Sequence, residues 1–297
     1  MTQHSWPAIA LARACDGPAR VPFVLMDERG PVLGSVAVEH LGALREWPDA
    51  FLRIDAPDGA PRALALRLPA PARDARLAQI HACLRDAGLI LAWRDEPYPL
   101  RDRAGGEHGT IERAASRFWG TLTLGAHCNG YVADADGRPT HLWIARRSYS
   151  KPTDPGRLDN MVGCGVALGQ TPREAVVREG WEEAGLEPAQ MAGLVTGGLV
   201  DLECDIPEGR QHERLHVFDL ELPAGRAPRN IDGEVAEHRL MPLAEALARA
   251  AAGELTTDAA LATLDFALRR SLVEPDSPAA ASTLTLSQRR AFEALRP

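Results

Sequence analysis

T-P-R-E-A-V-V-R-E-G-W-E-E-A-G-L, from Thr171 to Leu186, is the stretch on which the reading of this chain turns. Thr171 and Glu174 stand three apart, the spacing of a capping box in which each side chain serves the other's backbone N–H. Pro172 falls at the first helical position, where its missing N–H costs nothing, and Gly185 follows as a left-handed stop. The spacing predicts a helix bounded at both ends. At about 100° per residue, Val177, Trp181 and Ala184 form one apolar stripe, expected to pack on a sheet. Glu179, Glu182 and Glu183 gather on nearly the opposite side, with small Ala175 among them. Three carboxylates so spaced repel one another unless solvent or a cation lies between them. Hard oxygen ligands suit Mg²⁺ or Mn²⁺. Arg178 is four residues from both Glu174 and Glu182 and can pair with either, while Gly180 leaves room for another backbone or a substrate. A Glu-rich face is often merely solvated, so the helix alone leaves two readings open.

Strand patterns surround this helix. TLTLGAHCNGYVADADGRPTHLWIARRS reads as two strands about a turn at Asp134 to Gly137, and GLVTGGLVDLEC continues the pattern. Helical patterns close the chain from Leu243 to Ala252 and Asp258 to Arg270, before a small-residue tail. Upstream, PFVLM and PVLGSVAV flank a turn at Asp27 to Gly30, and Leu77, Ile80 and Leu84 mark a helix ending at Gly88. A short helix is expected around Glu112 to Ser116. The polar stretch WRDEPYPLRDRAGGEHG suggests a boundary near residue 105. The expected organisation is therefore a smaller α+β domain over 1–105 and an α+β or α/β sandwich over 106–297.

A second motif competes for attention. His212 to His216 spell H-E-R-L-H, which on a helix would place two His on one face for zinc. From Arg214 onward, however, Leu215 and Val217 alternate with His216 and Phe218, a turn precedes and Pro223 follows, so a strand is expected. On a strand, residues four apart are separated by about 13 Å, too far to share one ion. GCGVALG, from Gly163 to Gly169, imitates a dinucleotide fingerprint, but its third Gly comes one residue late and no acidic residue closes a following strand.

Bulk properties narrow the classes. The net charge of -8 argues against general nucleic-acid binding, which needs a basic footprint. Five cysteines without a C-x-x-C pair suggest reduced thiols. The N-terminal stretch does not read as a signal peptide, and no run of about 18 apolar residues offers a membrane span. A cytoplasmic location is expected, and a homodimer is compatible with the sequence.

R-E-G-W-E-E-A-G-L resembles the Nudix hydrolase signature. The resemblance implies the α/β/α Nudix sandwich and divalent metal held by Glu179, Glu182 and Glu183, with Arg178 in the same signature. It also implies hydrolysis of a diphosphate linkage by water attack at phosphorus. Two positions depart from the signature: Cys164 stands where it opens with Gly, and Gln170 where it has Glu. WIARRSYSKPTDPGRLDNMVGCG, with HCNGYV, DGEV and WRDEPYP, is similar to the thiamine pyrophosphokinase-related Nudix group, whose members carry an N-terminal DUF4743-type domain. That group implies thiamine diphosphate or its damaged analogues as the small-molecule substrate, converted to monophosphates.

Arg146, Arg147 and Lys151 are candidates to neutralise the diphosphate, or are surface charges at a strand end. Asn129 and Asn160 are candidate pocket donors, and Glu234 a candidate further metal ligand. Rival readings are a Nudix hydrolase of nucleoside-diphosphate derivatives such as ADP-ribose, an isopentenyl diphosphate isomerase, and a non-catalytic binding module. The isomerase needs a protonating Cys and a second acid, which the surroundings of Cys128 and Cys164 do not resemble.

Overall fold

The computed structural model describes residues 6–273; the first five residues and the small-residue tail lie outside the described residues. A short helix α1 (Pro7–Leu11) is followed by β1 (Arg20–Leu25), β2 (Val32–Ala37), β3 (Phe51–Asp55) and β4 (Pro61–Leu66), forming a sheet of order β2-β1-β4-β3. Helix α2 (Ala70–Asp86) lays Leu77, Ile80 and Leu84 against Phe23, Leu33 and Leu64 of that sheet.

The chain continues through β5 (Pro97–Arg101), β6 (Glu107–Glu112), α3 (Ala115–Trp119), β7 (Leu122–Ala133), β8 (Pro139–Arg147), β9 (Leu158–Asn160) and β10 (Val162–Gly165). Helix α4 (Pro172–Ala184), β11 (Val195–Ile206), β12 (Gly209–Glu221), β13 (Val235–Pro242), α5 (Leu243–Ala251) and α6 (Thr257–Arg269) complete it. β5 to β13 make a nine-stranded sheet in which β7 pairs in parallel with β12 and antiparallel with β8 and β10.

Alternation along β12 sets the layers. Phe218 and Leu220 join Ala126, Cys128 and Val162 beneath α4, while Leu215 and Val217 join Tyr131 and Phe266 beneath α5 and α6. The expected sandwich with helices on both faces is the one found. His212 and His216 lie on β12, as the alternation required.

Two details differ from the sequence reading. The helix expected around Glu112 starts only at Ala115, because the Glu112 carboxylate accepts the backbone N–H groups of Arg94, Glu96 and Ala114 in a local knot. Residue 105 falls in the turn between β5 and β6, both strands of the larger sheet. The first core extends to Phe118 and Trp119, whereas Ala8 and Ala12 near the N-terminus pack in the second.

Within the first core, buried His81 accepts a hydrogen bond at Nε2 from the indole N–H of Trp119 at 2.9 Å. Burial lowers its pKa to about 3 from 6.5. The unfolded chain therefore takes up a proton that the folded chain refuses, so this contribution to stability is complete above pH 6.5 and fades as pH falls toward 3. Urea midpoints at pH 7 and pH 5 should separate in the wild type and draw together in His81→Gln, which keeps an acceptor for Trp119. An identical separation in both proteins would show that His81 is not responsible.

Candidate active site

The local sequence fixes α4 at both ends. Thr171 Oγ1 accepts from the Glu174 N–H at 3.2 Å and the Glu174 carboxylate accepts from the Thr171 N–H at 2.8 Å, the reciprocal pair expected. Gly185 closes the helix with φ 64°, and a Cβ there would meet the Arg229 carbonyl at 2.7 Å. That closeness matters because the segment from Arg229 to Asp232 docks on the helix end. Arg229 donates its N–H to the Ala184 carbonyl, and Ile231 and Asp232 donate theirs to the Glu182 carbonyl, filling acceptors that a helix end leaves open.

This docking supplies a residue that the sequence reading missed. Glu179, Glu182 and Asp232 each bring a carboxylate oxygen to within 4.8 Å of the others. Burial raises the pKa of Glu179, with Arg178 working in the opposite direction, and burial also raises that of Asp232. Carboxylates crowded together, here with Glu179 and Glu182 partly buried and Asp232 exposed, favour protonation or a bound cation. Their all-oxygen character fits a hard divalent ion. Asp232 belongs to DGEV, from which Glu234 had been the expected ligand. Glu234 instead is an exposed partner of the Lys151 ammonium. Nothing short of the loop's docking distinguishes the two acids.

The helix faces also need correction. The buried face consists of Ala175, Val176, Gly180, Glu183 and Ala184, whereas Trp181 is 45% exposed and Val177 only partly buried. The large apolar residues drew the expected stripe toward Trp181, but α4 packs through small ones. The space beside Gly180 is filled by the Met191 sulfur, 2.1 Å from where a Cβ would sit, so it receives neither backbone nor substrate.

Glu183 therefore lies under the helix, apart from the Glu179/Glu182/Asp232 cluster. It accepts the Gly163 N–H at 3.1 Å and stands 4.0 Å from Lys151 Nζ. Burial, and next Glu179, raise its pKa. Arg178 bonds Glu179 at 2.8 Å and Glu182 at 2.6 Å and leaves Glu174 to the cap.

Arg147, Lys151, Asp159, Asn160, Glu183 and Glu234 line one small cavity next to α4. Arg147 is held there by Asp159 at 2.8 Å. Arg146, its neighbour on β8, instead bonds Glu237 and the Gly156 carbonyl and does not reach the cavity. Asn160 reaches the wall, but its amide is engaged by His127, Asn129 and Thr263. Asn129 is buried, donating to Asp219 and the Ala262 carbonyl. The two amides thus brace the floor and keep no free donor for a ligand. Burial raises the pKa of the Cys164 thiol, on β10, which with Glu179 and Glu183 nearby favours the neutral form. All five cysteines are free. Among the described residues no helix is long and apolar enough to cross a membrane.

A NUDIX domain match spans residues 125–261. The chain is 32% identical over 266 residues to Nudix hydrolase 24, chloroplastic, of Arabidopsis thaliana, covering 87% of this chain and 70% of that protein. Nudix hydrolase 20, chloroplastic, of the same plant is also 32% identical over 266 residues, covering 86% and 70%. A crystal structure of DR0079 from Deinococcus radiodurans is 27% identical, with a TM-score of 0.44 over 58% of this chain and 99% of that one. The likeness to the plant proteins runs well beyond the matched domain, and the capped acidic helix lies within it: the chain belongs to the Nudix hydrolase family.

Proposed function

We propose that the chain is a Mg²⁺-dependent pyrophosphohydrolase that converts thiamine diphosphate, or damaged analogues of it, to the monophosphate in the cytoplasm. The observation that carries the hydrolytic reading is the Glu179/Glu182/Asp232 cluster, with the Lys151 ammonium near enough to work against the raised pKa of Glu179 and of Asp232. The carboxylates would hold the metal, which when bound polarises phosphoryl oxygens and lowers the pKa of an attacking water. Arg178 fixes the rotamers of Glu179 and Glu182 through its two hydrogen bonds. Lys151, bonded to Glu234, stands 4.0 Å from Glu183 in the cavity that all three line. Lys151 and Arg147 then offset negative charge on the departing phosphate.

The thiamine assignment is supported by the sequence stretches shared with that Nudix group. The positive charge of Arg147 and Lys151 is also modest, in keeping with a diphosphate plus metal. The test is kcat/KM for thiamine diphosphate, its oxidised analogues, ADP-ribose, NADH and common nucleoside triphosphates under one Mg²⁺ condition. Thiamine compounds are expected to lead. A lead of about tenfold or more for ADP-ribose or a triphosphate, worth about 1.4 kcal/mol in the barrier, would replace thiamine by a nucleotide and leave the hydrolase in place.

A further inference from the structure

Behind the cavity runs a line of buried side chains whose hydrogen bonds take their direction from one end. Asp219 on β12 receives Nη1 and Nη2 of Arg269 at 2.7 and 3.0 Å, and so serves as an acceptor-only carboxylate. Asn129 on β7 sets one amide atom 3.3 Å from Asp219 Oδ1 and 3.2 Å from the Ala262 carbonyl. Both neighbours only accept, so that atom is the nitrogen and the Asn129 oxygen is turned to Asn160. The Asn160 nitrogen donates to it at 3.0 Å and to Thr263 Oγ1 at 3.1 Å. The Asn160 oxygen is left for His127 Nδ1, 2.8 Å away. An amide oxygen cannot donate, so Nδ1 carries the proton, and in the neutral ring Nε2 is a bare lone pair. Asp219, Asn129, Asn160 and His127 are all buried, which makes a mispaired polar atom costly at every step of the line.

The line ends behind two groups of the cavity. His127 pairs across the sheet with Gly163 of β10, where a Cβ would meet His127 Cε1 at 2.9 Å and Asp159 Oδ1 at 3.2 Å. The Gly163 N–H is the anchor of Glu183. His127 Nδ1 also stands 3.9 Å from Asp159, the carboxylate that holds Arg147 at 2.8 Å. Arg147, Asp159, Gly163 and Glu183 line the cavity, and His127 supports them from outside its wall.

We propose that His127 is a positioning residue for the diphosphate site: locked as the Nδ1–H tautomer by the Asp219–Asn129–Asn160 line, it holds β9 and β10 so that Arg147 and Glu183 keep their places. The role rests on the diphosphate reading of the cavity, whereas the tautomer is independent of it.

Two measurements on the full chain test this. The first is ¹⁵N-histidine NMR of the wild type at pH 8, with the His127 signals identified by their loss in His127→Asn. A proton on Nδ1 and none on Nε2 is expected. An Nδ1 without its proton overturns the proposal. The second compares His127→Asn with His127→Gln. Asparagine places its amide nitrogen where Nδ1 stands and can still donate to Asn160, whereas the longer glutamine carries its amide toward the place of Nε2. His127→Gln is expected to lower kcat/KM for thiamine diphosphate about tenfold and to speed hydrogen exchange of the Gly163 amide by a similar factor. His127→Asn should stay within about threefold of wild type in both. Each variant removes the ring, so a role in packing alone would cost the two alike, and equal losses overturn the positioning role. Should the wild type cleave no diphosphate, the hydrolase reading fails by itself. The tautomer and the Gly163 exchange in the two variants then still decide for or against His127.

Discussion

Glu182→Gln is expected to lower kcat/KM for metal-dependent hydrolysis by at least about a hundredfold while leaving the fold intact. Glu182 supplies one of three carboxylates clustered within 4.8 Å, and an amide of the same shape removes its negative charge. The substitution spares the main chain. The Glu182 carbonyl still accepts from Ile231 and Asp232, so the loop carrying Asp232 stays docked. Arg178 keeps Glu179 as a partner. The side chain is 36% exposed, so packing changes little. Glu183→Gln should cost turnover comparably by a different route. Glutamine preserves an acceptor for the Gly163 N–H but removes the ionisable carboxyl that faces Lys151. Turnover within threefold of wild type for both variants at saturating Mg²⁺ would remove the α4 carboxylates from the reaction.

Trp119→Ala should destabilise the protein by about 3–5 kcal/mol, the usual cost of deleting a large buried aromatic. Trp119 is fully buried, stacks on Phe23 with ring centroids 4.5 Å apart, and meets Phe51 and Phe118. Its indole N–H also satisfies His81. The residue sits where the two sheets join. A Cβ on Gly34 of β2 would strike the Trp119 carbonyl at 2.3 Å, and one on Gly209 of β12 would strike the Arg117 carbonyl at 2.4 Å. Helix α3 is thus wedged between both sheets, and loosening it should lower the stability of both together. Urea unfolding followed by far-UV circular dichroism is expected to show one transition shifted to lower urea. A loss below about 1 kcal/mol, smaller than for an ordinary buried large-to-small change, would contradict this account of the junction.

What the sequence determined by itself is local. Thr171, Pro172, Glu174 and Gly185 specify α4 because capping and the left-handed stop are satisfied within a few residues of chain. The alternation from Arg214 marks β12, and that periodicity alone withdraws His212 and His216 from zinc chemistry. The signature carboxylates Glu179 and Glu182 were legible for the same reason, since their spacing belongs to the helix that carries them.

Tertiary structure decided what sequence spacing does not encode. The burial of Glu183 and the exposure of Trp181 follow from Met191 filling the space beside Gly180 and from the Gly163 N–H meeting a carboxylate under the helix. That Asp232, and not Glu234, joins the Glu179/Glu182 cluster depends on the 229–232 segment giving its N–H groups to the open carbonyls of α4. Arg146 and Arg147 are adjacent in sequence but bond Glu237 and Asp159 respectively, because side chains alternate along a strand, and which of them reaches the cavity is settled by what packs on each face. Contacts between distant segments are fixed by packing and hydrogen-bond satisfaction across the fold, which no short window of sequence contains.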